Sequence, residues 1–240
     1  TAAGVEITVG GFAAHADAPL LVATAGATAV ARVDGTPSGS HAAVTVPAGA
    51  TLSIDPASWG CRIYLAVRGG IEVPPVLGSR STDTLSEIGP PRLTAGTRLA
   101  IGTSGGDWPS TMLAPADTRH PDVTTLRVDD GPRRNHCAAP DDLMSGEWVV
   151  SPASDRVGLR LDRPTDTDPL LVHRPDVGEL ASEGIAHGSI QVPPSGRPVI
   201  FLADHPVTGG YPVIGVVTTA SLDDAGQLVA GARIRFRPAR

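Results

Sequence analysis

The sequence predicts an all-β chain built as two barrel-like halves with little helix. Three observations carry this. Apolar residues fall in short β-branched runs bounded by Gly and Pro, which number 28 and 23 in 240 residues. That is the pattern of strands joined by tight turns. A short pattern also recurs, as AGATLSI at 48–54, AGTRLAI at 95–101 and AGARIRF at 230–236. Each copy reads as a Gly turn feeding an alternating strand, and the last two read as the closing strands of two similar barrels. Finally, residues 103–122 (TSGGDWPSTMLAPADTRHPD) are rich in Gly, Pro and Ser and read as a linker. The domains then span 1–103 and 121–240.

In the first half, strands are expected at 5–9, 21–23, 30–33, 44–46 and 52–54. Small residues at 24–27 read as a tight connection after the second of these. Asp34-Gly35 is a good hairpin pair. RIYLAV at 62–67 is the strongest strand and ends at Gly69-Gly70. The single helix candidate is 84–88, where Thr84 and Glu87 have the capping-box spacing.

The second half begins with a strand at 126–128, and 148–150 is another, running into the turn at Ser151-Pro152. The densest stretch is 182–219. It holds two apolar runs, 199–203 and 213–217, preceded by a shorter one at 189–192. Neither dense run alternates cleanly, so both faces of these strands are expected to be covered. Polar residues gather at the strand ends: Glu183, Gln191, Asp204, His205, Thr208 and Tyr211. Donors and acceptors at the mouth of a buried sheet are what a polar ligand needs. The structural alternative is that Asp204 and Thr208 satisfy turn amides.

Composition removes several classes of function. All 19 basic residues are Arg. Without Lys, the sequence has no Schiff-base lysine, no P-loop lysine and no biotinyl-lysine. A net charge of −6 with no basic run argues against a nucleic-acid surface. The seven His form no metal-binding spacing, so no metal is expected. No G-x-S-x-G elbow and no glycine-rich nucleotide loop is present. Cys61 and Cys137 read as buried thiols in a reducing compartment, which places the chain in the cytoplasm. No apolar run approaches the ~18 residues of a membrane span.

Two further constellations stand out. Gly78-Ser79-Arg80-Ser81-Thr82 offers successive amides, hydroxyls and one guanidinium, suited to a carboxylate or phosphate. The alternative is that its Ser and Thr cap the short helix. In Ser154-Asp155-Arg156, neighbouring side chains point to opposite faces if the segment is extended, so two separate interactions are expected.

The ordered motifs resemble a known family. They are TAGA at 24–27, YLAVRGGIEVP at 64–74, LGSRST at 77–82, VSPASDR at 150–156, and SEGIAHGSIQVPPSGRP with TGGYP across 182–212. The resemblance is to the bacterial family of the 5-oxoprolinase C subunit. That family is also labelled allophanate hydrolase subunit 2, or the carboxyltransferase A/B domain of urea carboxylase. Its members normally begin with about fifty more residues, a large part of a small domain, which this sequence lacks.

The resemblance implies a pair of cyclophilin-like β-barrels. It implies a component of an ATP-dependent 5-oxoprolinase that opens 5-oxoproline to glutamate. That complex would include a paralogous cyclophilin-like subunit and a third, larger subunit, with ATP held mainly by a partner. The alternatives within the family are carboxyl transfer to urea from carboxybiotin, with biotin on another chain, and regulation of a paralogous kinase-inhibitor subunit. Carried onto this sequence, Asp204, Glu183 and Arg156 are the expected catalytic residues. Arg80, Ser81, Thr82, Gln191, Thr208, Gly209, Gly210 and Tyr211 are the expected substrate-binding residues.

Overall fold

The computed structural model describes residues 2–105, 108, 111–114 and 120–240. Of the expected linker, 106, 107, 109, 110 and 115–119 lie outside the described residues. The chain divides into two compact units. One comprises Thr1–Asp83 and Glu87–His120. The other comprises Thr84–Ser86 and Pro121–Arg240.

The first unit holds strands β1 (Val5–Thr8), β2 (Phe12–His15), β3 (Leu20–Thr28), β4 (Ala31–Val33), β5 (Thr36–Gly39), β6 (Ala43–Val46), β7 (Thr51–Ile54) and β8 (Trp59–Val67). They form two four-stranded sheets, ordered β1-β8-β3-β6 and β2-β7-β4-β5. Alternate residues point inward, and Val22, Ala31, Val46, Ile54, Ile63 and Leu65 share one apolar core. Asp34 and Gly35 both have positive φ, 47° and 78°, as a two-residue hairpin turn requires.

Three expectations for this half are corrected. Residues 24–27 are not a connection but the middle of β3. Gly26, at φ 92°, bends the strand, and the register with β8 shifts there without ending the ladder. The segment 84–88 is a turn, not a helix: Glu87 sits at φ 56°, which an α-helix excludes, and Asp83 pairs with Ile88 across it. In the repeat at 95–101, Gly96 turns as Gly49 and Gly231 do, with φ of 85°, 82° and 84°. The residues after it form no strand, bridging only at Ile101 to Ile71.

The second unit is a closed barrel. Its strands are β9 (Val123–Asp130), β10 (Trp148–Val150), β11 (Gly158–Asp162), β13 (Ser189–Gln191), β14 (Val199–Phe201), β16 (Val213–Val217) and β17 (Arg233–Pro238). A two-stranded ribbon, β12 (Glu183–Gly184) with β15 (Thr208–Gly209), lies outside the ring. The ring order is β10-β11-β14-β13-β16-β9-β17. Every pairing is antiparallel except β17 with β9, which runs parallel from Arg233↔Val123 to Pro238↔Val128. The third copy of the repeat is therefore a closing strand.

Leu126, Trp148, Leu161, Ile190, Ile200, Ile234 and Phe236 are fully buried inside the ring. Trp148 donates its indole N–H to the Leu143 carbonyl at 3.0 Å, and the Arg163 guanidinium lies 3.6 Å from the ring centroid. Outside the ring a second apolar layer of Ile185, Val199, Phe201 and Val213 covers the other face of β14 and β16. This is why neither strand alternates. Helix α1 (Thr219–Gly226) is the chain's one α-helix among the described residues. None of them forms a helix long and apolar enough to cross a membrane.

The approach of β16 to the end of β9 predicts a stability result. A Cβ on Gly131 would lie 2.5 Å from the Val213 carbonyl oxygen and the Gly215 nitrogen, where only backbone could yield. Gly131→Ala is expected to lower stability by about 2 kcal/mol or more. Gly231 faces open space, so Gly231→Ala meets only its left-handed backbone, at about 1 kcal/mol. Urea melts followed by Trp148 fluorescence, with Trp59 and Trp108 replaced by Phe, separate the two.

Candidate functional site

The second unit carries two arginine–carboxylate nodes, both anchored in the stretch 182–219. At the first, Asp204 follows β14 and is 4% exposed. Its backbone N–H donates to the Arg156 carbonyl at 3.1 Å. Its carboxylate receives Arg156 Nε at 2.8 Å and Nη2 at 3.0 Å, a bidentate pair. Thr84 supplies two more donors, its hydroxyl at 2.5 Å and its amide at 2.9 Å, both to Oδ2.

Burial pushes the Asp204 carboxyl up, but the hydrogen bonds from Arg156 and Thr84 outweigh it and hold the group below its ordinary value. Asp204 makes no hydrogen bond to the amides of the Thr208-Gly209-Gly210 turn among the described residues. Thr84 is the residue that the capping-box reading concealed. Its hydroxyl and amide donate to a carboxylate 120 positions away, so the amide that a capping box would give to Glu87 is already taken.

Arg156 reaches Asp204 because the residue before it forms a tight turn. Asp155 accepts from the amides of Val157 at 2.8 Å and Gly158 at 3.1 Å. The neighbouring Asp and Arg thus make separate interactions. Beside the node, His205 approaches the Pro206 carbonyl at 2.9 Å through Nδ1, and the His187 ring stacks on it at 6.1 Å. Burial and the neighbouring His205 both lower the basicity of His187.

At the second node Glu183, on β12, is held by Arg133, with Nε at 3.0 Å and Nη2 on the other oxygen. The hydrogen bond from Arg133 lowers the Glu183 carboxyl below the usual range. Gln191 is buried and donates from Nε2 to the Tyr211 carbonyl at 2.8 Å. A Cβ on Gly209 would sit 2.8 Å from that amide nitrogen, so a larger residue there would displace the end of the Gln191 side chain. Gly210 has no such neighbour within 3.4 Å, and Thr208 and Tyr211 are exposed at the rim.

Structure therefore groups Glu183, Gln191, Gly209 and Tyr211 with Arg133, and separately groups Asp204 and Arg156 with Thr84. Arg133, Thr84 and His187 were outside the expected set. Neither long-range arginine pairing has a sequence signature.

The remaining expected residues lie in the first unit. Arg80 donates from Nε to the Val73 carbonyl at 2.9 Å. It borders a cavity of about 420 Å³ lined also by Glu72, Pro74, Gly69 and Gly102. Ser81 receives its turn from Ser79, whose hydroxyl accepts the Ser81 amide at 3.1 Å, and Thr82 donates to the Pro90 carbonyl at 2.6 Å. With no helix at 84–88, neither residue is a helix cap.

Fold and nodes together define an all-β protein of two tandem barrel-type units whose polar sites are built from paired carboxylates and guanidiniums. The chain belongs to the family described as "Carboxyltransferase domain, subdomain A and B", whose profile matches residues 1–238. It is 33% identical to the 5-oxoprolinase C subunit of Escherichia coli over 240 residues, covering 98% of this chain and 74% of that protein. The solved structure of TTHA0988 superposes with a TM-score of 0.85 at 34% identity, over 98% of this chain and 45% of that one. The Kluyveromyces lactis urea carboxylase superposes with a TM-score of 0.87 at 26% identity, over 99% of this chain and 23% of that one. The chain thus spans less than half of either solved chain.

The Asp204 node has a pH signature. A carboxyl held below its ordinary value of 3.8 in the folded state contributes stability that is fully present above that value. The contribution is lost as pH falls through the lower, folded value. Asp204→Asn is expected to cost about 2–3 kcal/mol at pH 7, because it leaves Arg156 without its carboxylate. The gap between parent and variant should be constant from about pH 5 upward and close in stronger acid. Thr84→Val should cost about 1–2 kcal/mol. Denaturant melts across pH, read by Trp148, check both.

Proposed function

We propose that this chain is one component of an ATP-dependent complex that opens 5-oxoproline to glutamate, working in the cytoplasm with a paralogous barrel subunit and a third, larger one. The observation that carries this is the extent of the match. The chain covers 74% of the Escherichia coli 5-oxoprolinase C subunit, but 23% of the urea carboxylase chain.

The nodes suit such a role in a particular way. Asp204 and Glu183 are both kept ionised by arginine, so each is a weak base at neutral pH and a strong, fixed acceptor. In lactam hydrolysis such an acceptor orients the ring N–H or the attacking water. Arg156 fixes the position of Asp204 and leaves the pair nearly neutral. Gln191 and the Gly209 backbone shape the rim that would receive the amide.

The cations of these nodes do not fit a triphosphate. Arg156 and Arg133 each give two guanidinium nitrogens to a carboxylate, leaving little charge to meet phosphate. ATP contacts would then fall to the partner chains.

A second reading has its own support: the family description is of a carboxyltransferase domain, and the urea carboxylase superposes with a TM-score of 0.87. Under it the same residues would orient the amide of urea, with biotin carried by another chain. The deciding experiment is co-expression with the paralogous and larger subunits. ATP turnover is then assayed with 5-oxoproline and, separately, carboxyl transfer with urea and carboxybiotin. Turnover with 5-oxoproline, absent from the isolated chain and reduced at least tenfold by Asp204→Asn without a matching rise in KM, is expected. Activity with urea and none with 5-oxoproline would replace the first reading by the second.

A further inference from the structure

Strand β17 presents a row of arginines on the outside of the second barrel. Its sequence RIRFRP alternates, with Ile234 and Phe236 fully buried and Arg233, Arg235 and Arg237 outward. Alternate residues on one face are about 6.6 Å apart. The parallel partner β9 places Arg127 directly beside Arg237, so a fourth guanidinium joins the row. The surroundings are otherwise Val123, Thr125 and Val149, which pair with Arg233, Arg235 and Arg233 across the neighbouring strands.

Three carboxylates border this face, of which Asp162, opposite Val149, is held by Arg197 at 3.0 Å. Glu147, only 16% exposed, splits its oxygens between two arginines: Oε1 lies 2.9 Å from Arg235 Nη2 and Oε2 lies 2.5 Å from Arg233 Nη2. The second contact is an ion pair without hydrogen-bond alignment. Asp129 sits two residues past Arg127 on the same side of β9. Arg127 donates to the Pro238 carbonyl at 3.2 Å, and Arg237 makes no ion pair among the described residues. The face keeps a positive excess on a chain whose net charge is −6.

We infer that this face docks an acidic, extended segment of a partner protein, with carboxylates at alternate positions. The period decides the geometry: an extended segment carries alternate side chains at the same ~6.6 Å spacing as the arginines. Glu147 holds two of the guanidiniums in place, which lowers the ordering cost of the contact. Docking is by side chains: β17 is paired to β9 along its whole length, and to β10 as well at Arg233 and Ile234. A nucleic acid is disfavoured. Among the described residues the face has no aromatic ring on which a base could stack.

The test uses the full chain and a fluorescein-labelled peptide of alternating Glu and Thr, read by anisotropy at low salt. A peptide of the same composition with its Glu in one block and a thymidine oligonucleotide are the comparators. The parent should bind the alternating peptide, at least a few-fold more tightly than the blocked one. Arg127→Glu with Arg237→Glu should weaken binding at least tenfold with the circular dichroism spectrum unchanged and Tm lowered only slightly, since neither arginine is tied to Glu147 and only the Arg127 hydrogen bond to the Pro238 carbonyl is lost. Arg237→Glu alone should weaken it a few-fold. Absence of binding by the parent, equal binding by the double variant, equal binding of the blocked peptide, or tighter binding of the oligonucleotide would each overturn the inference.

Discussion

Closure of the second barrel rests on one parallel pairing, between a strand at the start of the unit and a strand at its end. Six consecutive residues of β17 lie beside β9, from Arg233↔Val123 to Pro238↔Val128. All other neighbours in the ring are antiparallel. Without this seam, β9 and β17 would each expose a row of unpaired amides and carbonyls. With it, the inward residues of both strands, Leu126 and Val128 from one and Ile234 and Phe236 from the other, complete a single buried layer around Trp148. Because the two strands lie over a hundred positions apart, their pairing is among the least local contacts of the unit and carries a high loop-closure cost.

A closed ring also fixes what its outer face can hold. β14 and β16 are buried on both sides, inside by the barrel core and outside by Ile185, Phe201, Val199 and Val213. Polar residues on these elements have nowhere to go but the ends. Asp204 leaves the end of β14, and Glu183 precedes Ile185 on the outer ribbon. Asp204 is buried, where an unpaired charge would be costly, while the Glu183 side chain stays 33% exposed, and each meets an arginine in two-point contact. The nodes are thus consequences of the packing as well as candidates for chemistry.

What could be read in the sequence follows the range of the forces involved. Strands were legible where β-branched runs met Gly or Pro, as at 62–67 and 213–217, because alternation and turn chemistry are local. The double burial of 199–203 and 213–217 was legible in their unbroken apolarity. Helix α1 was not: it buries only Ser221 and Ala225, too little to impose a 3.6-residue period. The turn at 84–88 was misread because Thr84 and Glu87 have the spacing of a local cap, and the partner that wins Thr84 stands 120 residues on. The candidate residues at 183–211 were visible as polar groups at strand ends. Their partners Arg133 and Arg156 are 50 and 48 positions away, and no local rule selects which arginine of 19 will arrive.

The choice of arginine throughout gives the nodes their character. A guanidinium is planar, presents several donors in a fixed fork and stays charged at any pH the fold survives, whereas an ammonium is a point charge whose proton is easily lost on burial. At Asp204 the fork engages both oxygens, and Thr84 takes up remaining acceptor capacity on Oδ2. Such a carboxylate has little freedom to rotate and little tendency to take up a proton. It directs a hydrogen bond along a set line, and that directionality is what the node can contribute to any reaction at this rim. The same property accounts for Arg163, whose guanidinium lies over Trp148 while donating to the carbonyls of Asp142, Ser145, Glu147 and Pro169. There four carbonyls and one aromatic face are satisfied by a single rigid cation, an arrangement a lysine has too few donors in too loose a geometry to make. In this chain arginine is thus first a device for positioning oxygen atoms, at the barrel's base as at its candidate sites.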